Sequence, residues 1–236
     1  MKKLNIYNKE GNINTNQKIF DSFNSFILSD DRNIFNKLSS RILFYEMVKH
    51  LNGDIVECGV FKGTGILTWL KILEIHEPNS IKKIIGFDFF DQSFVDDIAD
   101  GNDKELMSQV FDRCGKISDS DISYDSIQEK ILKFKFSSEK FELVKGDISK
   151  TSKTFVEHRP GFRISLLYLD LDLDEPTYNT LNNFWDNIVS GGIVVFDEYA
   201  YHNWSESNGV DRFIKEKKLK LVPTKIKAPT AFLIKE

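Results

Sequence analysis

Two kinds of apolar pattern alternate along the chain. A polar opening, residues 1–15, is rich in Asn and Lys, has no period and reads as a loose arm. Helical spacing follows twice. Phe20, Phe23 and Phe26 recur in KIFDSFNSFIL, and Ile34, Leu38, Ile42, Tyr45 and Val48 recur in NIFNKLSSRILFYEMVKHL. Beyond these, β-branched runs alternate with helical ones. Strands are expected at DIVECGV, IKKIIGFD, FELVKGD, RISLLYLD and GIVVFDE. Helices are expected at GILTWLKILEIH, near 151–157, at 176–189 and near 208–217. Two short strands, KLV and TAFLIKE, close the chain. Such alternation predicts an α/β fold: a doubly wound, mostly parallel sheet with helices on both faces. The expected division is 1–50, an arm and helices packing on the core, and 51–236, one domain. Residues 91–137 interrupt the rhythm as an insertion with weak helices at 103–113 and 124–135, either surface elaboration or a lid.

Composition narrows the function classes. With 41% hydrophobic and 29% charged residues, the 236-residue chain can build a large core. A net charge of −4 argues against a nucleic-acid partner. No run of eighteen apolar residues and no signal-like start is present, so a cytoplasmic protein without a membrane partner is expected. Cys58 and Cys114 form no zinc or disulfide framework, and Cys58 sits in an apolar strand as a small buried hydrophobe.

Candidate chemistry gathers at the predicted strand ends, where open parallel sheets bind ligands. The first strand runs into VECGVFKGTG, whose Gly59, Gly63 and Gly65 let a ligand approach the backbone. The spacing is neither that of dinucleotide binders nor that of the Walker loop. Glu57 just before the turn would repel a pyrophosphate but suits a cationic ligand, such as the sulfonium and ammonium of S-adenosylmethionine. Asp88 ends the second strand, where an acid can accept hydrogen bonds from a ribose diol. Gly146 and Asp147 end the third, within reach of an adenine edge.

The segments VECGVFKGTG, GFDFFD, LYLDLDLDEPTYNTL and SGGIVVFDEY resemble successive motifs of the class I S-adenosylmethionine-dependent methyltransferases. More narrowly they resemble the macrocin O-methyltransferase (TylF/MycF) family, over roughly residues 35–235. The resemblance implies a Rossmann-like seven-stranded sheet. It also implies a sugar-hydroxyl methyltransferase using S-adenosylmethionine and magnesium in natural-product or polysaccharide biosynthesis. The candidate cofactor set is Glu57, Gly59, Val60, Phe61, Gly63, Thr64, Asp88, Gly146, Asp147, Ile148 and Asp170. Three departures stand out. Asp197 is followed by Glu198 where the family commonly has a second aspartate, Asp88-Phe89-Phe90 replaces Asp-Ser-Phe, and the insertion matches no family pattern.

YLDLDLDEPT places Asp170, Asp172 and Asp174 on alternate positions, and the next strand brings Asp197 and Glu198 to the same sheet edge. Like charges this close call for a positive partner. Oxygen donors without His or Cys favour Mg2+ or another hard divalent cation. Asp170, Asp197 and Glu198 are the expected ligands. Asp172 is a fourth ligand or a base, and Asp174 caps the helix that Pro176 opens. His202 in YAYHNW is the best-placed histidine for a base, with Tyr199, Tyr201 and Trp204 as an apolar wall. His50 and His76 read as structural, and His158 as a turn residue.

The function expected is therefore metal-dependent O-methylation of a sugar or glycosylated small molecule. Alternatives are a catechol-like phenol as acceptor, an NAD-dependent oxidoreductase, against which Glu57 and the glycine spacing count, and a non-catalytic sensor of adenosyl ligands. The apolar face at Phe20, Phe23 and Phe26 packs either on the chain's own core or on a second copy in a homo-oligomer.

Overall fold

The computed structural model describes residues 15–99, 101–113, 119–134 and 136–236; the opening through residue 14 and Cys114 lie outside them. Helices α1 (Thr15–Ile27) and α2 (Arg32–Val48) lead in, and Asp31 caps α2 by accepting the Ile34 N–H at 2.9 Å. Then come β1 (Asp54–Cys58), α3 (Thr64–His76) and β2 (Ile84–Asp88). The insertion holds α4 (Phe94–Asp97), α5 (Asn102–Arg113), α6 (Asp119–Ile122) and α7 (Tyr124–Lys133). The chain continues through β3 (Phe141–Lys145), α8 (Ile148–Glu157), β4 (Ile164–Leu169), α9 (Asp174–Phe184) and β5 (Ile188–Phe196). It closes with α10 (Glu206–Lys217), β6 (Val222–Pro223) and β7 (Ala231–Ile234).

The sheet order is β3-β2-β1-β4-β5-β7-β6, parallel from β3 to β5, with β7 antiparallel to both β5 and β6. Winding reverses between β1 and β4, so the carboxyl ends of these strands flank a crevice. Strands covered on both faces need apolar side chains throughout, and every residue of β4 is buried. One face packs on α2, α3 and α7 through Phe44, Tyr45, Trp69, Leu70 and Ile127. The other packs on α8, α9 and α10 through Phe155, Leu181, Phe184 and Phe213. Cys58 is fully buried in this second layer. Among the described residues no helix is long and apolar enough to cross a membrane.

Two expectations change. In α2, Tyr45 and Val48 are buried, but Ile34, Leu38 and Ile42 are 61, 40 and 39% exposed. The inward face carries Ser40 and Arg41 beside Phe44. Counting apolar residues cannot reveal that a guanidinium faces inward to meet a buried acid. In α1, Phe20 and Phe23 are more than half exposed, so they do not pack on the chain's own core.

Gly59 sets the spacing at the crevice. Its φ is +92°, and a methyl group there would collide with the Asp170 carbonyl oxygen of the neighbouring strand tip. Gly59→Ala should therefore cost roughly 1–3 kcal/mol and lower the melting temperature by several degrees. An unchanged thermal melt would show that the two strand tips have room to part.

Candidate active site

The crevice opens into a cavity of about 960 Å3, at the upper end of small-molecule sites. Gly59, Phe61, Asp88, Gly146, Asp147 and Ile148 line it from the first three strand ends, and Asp170, Asp172 and Glu198 line it from β4 and β5. Phe94, Met107, Val110, Phe111 and Ile122 of the insertion cover it, together with Trp204. Phe111 meets Phe61 at 6.3 Å and Phe94 at 6.0 Å between ring centres. Helix α5 is fastened to the loop after β5. Asn102 donates to the Asn203 carbonyl at 2.8 Å, and the Ser205 hydroxyl donates to Asp103. The insertion thus roofs the cavity.

The β1–α3 turn is held from β2. One Asp88 oxygen accepts the N–H groups of Val60 (2.7 Å) and Phe61 (2.8 Å), and the other accepts that of Phe90 (2.8 Å). These bonds fix Phe61 in the left-handed region at φ +50°. Asp88, read from sequence as a ribose acceptor, thus has three backbone donors on its carboxylate. Asp147 caps α8 through the Ser149 N–H (2.9 Å) and pairs with Lys150 (3.0 Å). Glu57 and Val60 are buried beneath the turn, and Gly63 and Thr64 open α3; none of these four lines the cavity.

Glu57 has found a cation within the chain. Its Oε1 lies 3.3 Å from Arg41 Nη2, and its Oε2 is buried without a partner among the described residues. The Arg41 guanidinium lies over the rings of Tyr168 (4.6 Å) and Trp69 (5.6 Å). Burial raises the Glu57 carboxyl above its ordinary range against the pull of Arg41.

The acids that end β4 and β5 lie near enough to raise one another. Asp197 is fully buried; one oxygen accepts the Tyr168 hydroxyl and the other accepts Lys37 Nζ at 2.8 Å. Lys37 also lies 3.9 Å from Asp170. Asp172 sits at φ +64°, its carboxyl pushed up to about 7 by burial, then by Glu198 and Asp197. Glu198 is likewise pushed up to about 7 by burial and Asp197, with Lys37 opposing. Asp170 is held well above its ordinary range by burial and Asp197. Glu206 is a fifth, fully buried carboxyl. It accepts the Glu198 N–H at 3.3 Å, and its Oε2 has no partner among the described residues.

Among the described residues, no three His, Cys, Asp or Glu side chains converge to hold a metal ion. The positive group between Asp170 and Asp197 is the Lys37 ammonium. In kind, the donors still suit a hard cation, being oxygens throughout, and the buried Glu198 Oε2 is unpartnered. The remaining site expectations divide. His202 is exposed and does not line the cavity. Trp204 lines it, whereas Tyr199 packs against Phe196 and bonds Asp211 at 2.9 Å. Asp174 lies in the first turn of α9 and pairs with Arg212 at 3.3 Å; the capping position belongs to Leu173, and the Ser205 hydroxyl accepts the Asp174 N–H at 3.0 Å. Lys37, Arg41, Tyr168 and Glu206 were not singled out from sequence. The 37/41 spacing, one helical turn, was the signal available for the first two.

A doubly wound seven-stranded sheet with a glycine turn and an acid cluster on one cavity defines the Rossmann-like methyltransferase class. The comparisons agree. Superposition on CalS11, described as a TDP-rhamnose 3'-O-methyltransferase of calicheamicin biosynthesis, gives a TM-score of 0.67 at 24% identity. It covers 93% of this chain and 86% of that one. The O-methyltransferase NovP gives 0.68 at 20% identity over 84% and 79%. The demethyldecarbamoylnovobiocin O-methyltransferase of Streptomyces niveus is 24% identical over 147 residues, 62% of this chain. That match spans only about half of the relative's length, 53%. The family description "Macrocin-O-methyltransferase (TylF)" matches residues 42–234, and the chain belongs to that family of enzymes.

Two measurements test these electrostatics. Because Asp172 and Glu198 sit near 7 in the folded protein, above their ordinary values, folding takes up protons between about pH 4 and 7. Stability should be greatest at the acid end of that window and fall as pH rises through 7, by on the order of 1–2 kcal/mol given their partial exposure. Asp172→Asn should flatten the profile, and a parallel profile for the variant would contradict the assignment. Separately, Arg41→Met should cost about 3–5 kcal/mol at neutral pH by leaving Glu57 buried and unpaired. Adding Glu57→Gln should recover part of that loss in denaturant melts.

Proposed function

We propose that this chain transfers a methyl group from S-adenosylmethionine to a hydroxyl of a sugar or glycosylated small molecule, assisted by a hard divalent cation at the acid cluster. The observation that carries the reading is shared access: Gly59 and Phe61 of the glycine turn and the carboxylates Asp170, Asp172 and Glu198 at the tips of β4 and β5 line the same covered cavity. Family membership supports methyl over hydride transfer, and the descriptions of CalS11 as a TDP-rhamnose 3'-O-methyltransferase and of the Streptomyces niveus relative as a demethyldecarbamoylnovobiocin O-methyltransferase support the acceptor class.

In this reading Gly59, Phe61, Gly146, Asp147 and Ile148 bind the cofactor along the first three strand ends. Its sulfonium supplies the methyl group and an excellent leaving group, so no covalent enzyme intermediate is needed. Asp170 and Glu198 orient the acceptor hydroxyls. An Asp172 oxygen takes the hydroxyl proton, a role that a carboxyl near 7 suits at neutral pH. A divalent cation at Asp170, Asp197 and Glu198 would ease ionisation of the hydroxyl. The roof of Phe94, Phe111 and Met107 excludes water, and transfer then depends on alignment of oxygen, methyl carbon and sulfur. The aromatic roof also favours a second reading, in which the acceptor is a catechol-like phenol.

The test is a panel of nucleotide-linked sugars, glycosides and catechols with S-adenosylmethionine, in magnesium or in EDTA, read by mass spectrometry. Methylated sugar is expected in magnesium alone; methylated catechol alone would move the assignment to the second reading. S-adenosylmethionine at a hundred times its Kd should stabilise the fold by about 2.7 kcal/mol, and no thermal shift would end the cofactor assignment. Asp197→Asn should lose roughly a hundredfold or more in turnover while still binding the cofactor. Full turnover by that variant in EDTA would remove the cation from the mechanism.

A further inference from the structure

Lys37 reaches the acid cluster from α2, an element that contributes none of the carboxylates. Its ammonium bonds Asp197 at 2.8 Å and lies 3.9 Å from Asp170, while its side chain is 41% exposed and lines the cavity. The Asp197 carboxylate has no freedom to turn away, because its other oxygen accepts the hydroxyl of fully buried Tyr168. Arg41, one turn further along α2, is committed to Glu57 and cannot take over. The Lys37 ammonium therefore occupies the gap between the two acids that end β4 and β5. Beside it the Glu198 carboxylate keeps a buried oxygen without a partner among the described residues.

We infer that Lys37 is a built-in counter-cation that holds the cluster together and is displaced when a divalent ion enters between Asp170 and Asp197. The inference rests on the divalent-cation reading above. A doubly charged ion and an ammonium cannot both sit within a few ångströms of the same two carboxylates without strong mutual repulsion. The Lys37 stem is long and half-exposed, so it can swing into the cavity, whereas the Asp197 carboxylate is held in place by Tyr168. Cation affinity in this protein is then set by competition with its own lysine, and loading converts a bound ammonium into a free one facing the acceptor.

Mn2+ titration of the EDTA-treated full chain, followed by calorimetry and by the electron paramagnetic resonance of free Mn2+, tests this directly. Lys37→Met keeps the apolar stem and removes the charge, so it should bind Mn2+ roughly tenfold or more tightly than the wild type. Lys37→Arg should stay close to the wild type. Without metal, Lys37→Met should melt lower, and saturating Mn2+ should return more stability to it than to the wild type. In the unsubstituted protein, acylation of Lys37 read by peptide mass spectrometry should rise several-fold on adding Mn2+. Equal or weaker Mn2+ binding by Lys37→Met, or labelling that does not change with metal, overturns the displacement while leaving the cation reading standing. Absence of Mn2+ binding in wild type and variants alike overturns both.

Discussion

Charge balance at the tips of β4 and β5 governs this structure. Asp170, Asp172, Asp197, Glu198 and Glu206 crowd one sheet edge, and two of them, Asp197 and Glu206, are wholly buried. A carboxylate stripped of water is tolerable only if a cation, a hydrogen-bond donor or a proton compensates it. All three solutions are present. Lys37 supplies charge, Tyr168 and the Glu198 N–H supply donors, and burial raises Asp172, Glu198 and Glu206 towards their neutral forms. The direction α2 faces follows from this. Turning Lys37 and Arg41 inward sends Ile34, Leu38 and Ile42 to the surface, against their hydrophobic preference.

The glycine turn obeys the same economy of donors. A tight turn leaves N–H groups pointing inward, and an unmatched buried N–H is costly. Asp88 meets two of them, at Val60 and Phe61, besides the Phe90 N–H beyond its own strand, so the acid that ends β2 acts first on the turn's backbone. Gly59 and Gly65 complete the arrangement by omission. A side chain at Gly65 would strike the Glu57 carboxylate, just as one at Gly59 would strike the β4 tip.

Much of this was legible in the sequence. The alternation of β-branched and helical runs located the strands, and GFD, VKGD and the LDLDLD stretch marked their ends. Even the weak periods inside 91–137 correspond to α5 and α7. What escaped depends on facing and partnership. Apolar spacing gives the period of α2, but its phase is set by Arg41 meeting Glu57, a contact across sixteen positions. Glu57 read alone looks like a ligand for an external cation; only the packed structure reveals the internal one. Glu206 gave no signal, because an acid opening a helix is ordinarily solvated at the dipole's positive end, whereas here it is fully buried. His202 was singled out by chemistry and proximity in sequence, neither of which reports on exposure.

The fastening of α5 to the loop after β5 has a kinetic consequence. Two polar contacts, Asn102 to Asn203 and Ser205 to Asp103, and two ring contacts, Phe111 with Phe61 and Phe94 with Phe89 at the end of β2, close the roof. At about 0.5–1.5 kcal/mol each, parting them costs on the order of 2–6 kcal/mol, at or below the 5–15 kcal/mol typical of a whole domain. The open form is then populated somewhere between a few per cent and a few parts in a hundred thousand. Cavity contents can therefore exchange by local breathing of the roof, while the sheet and its buried acids stay folded.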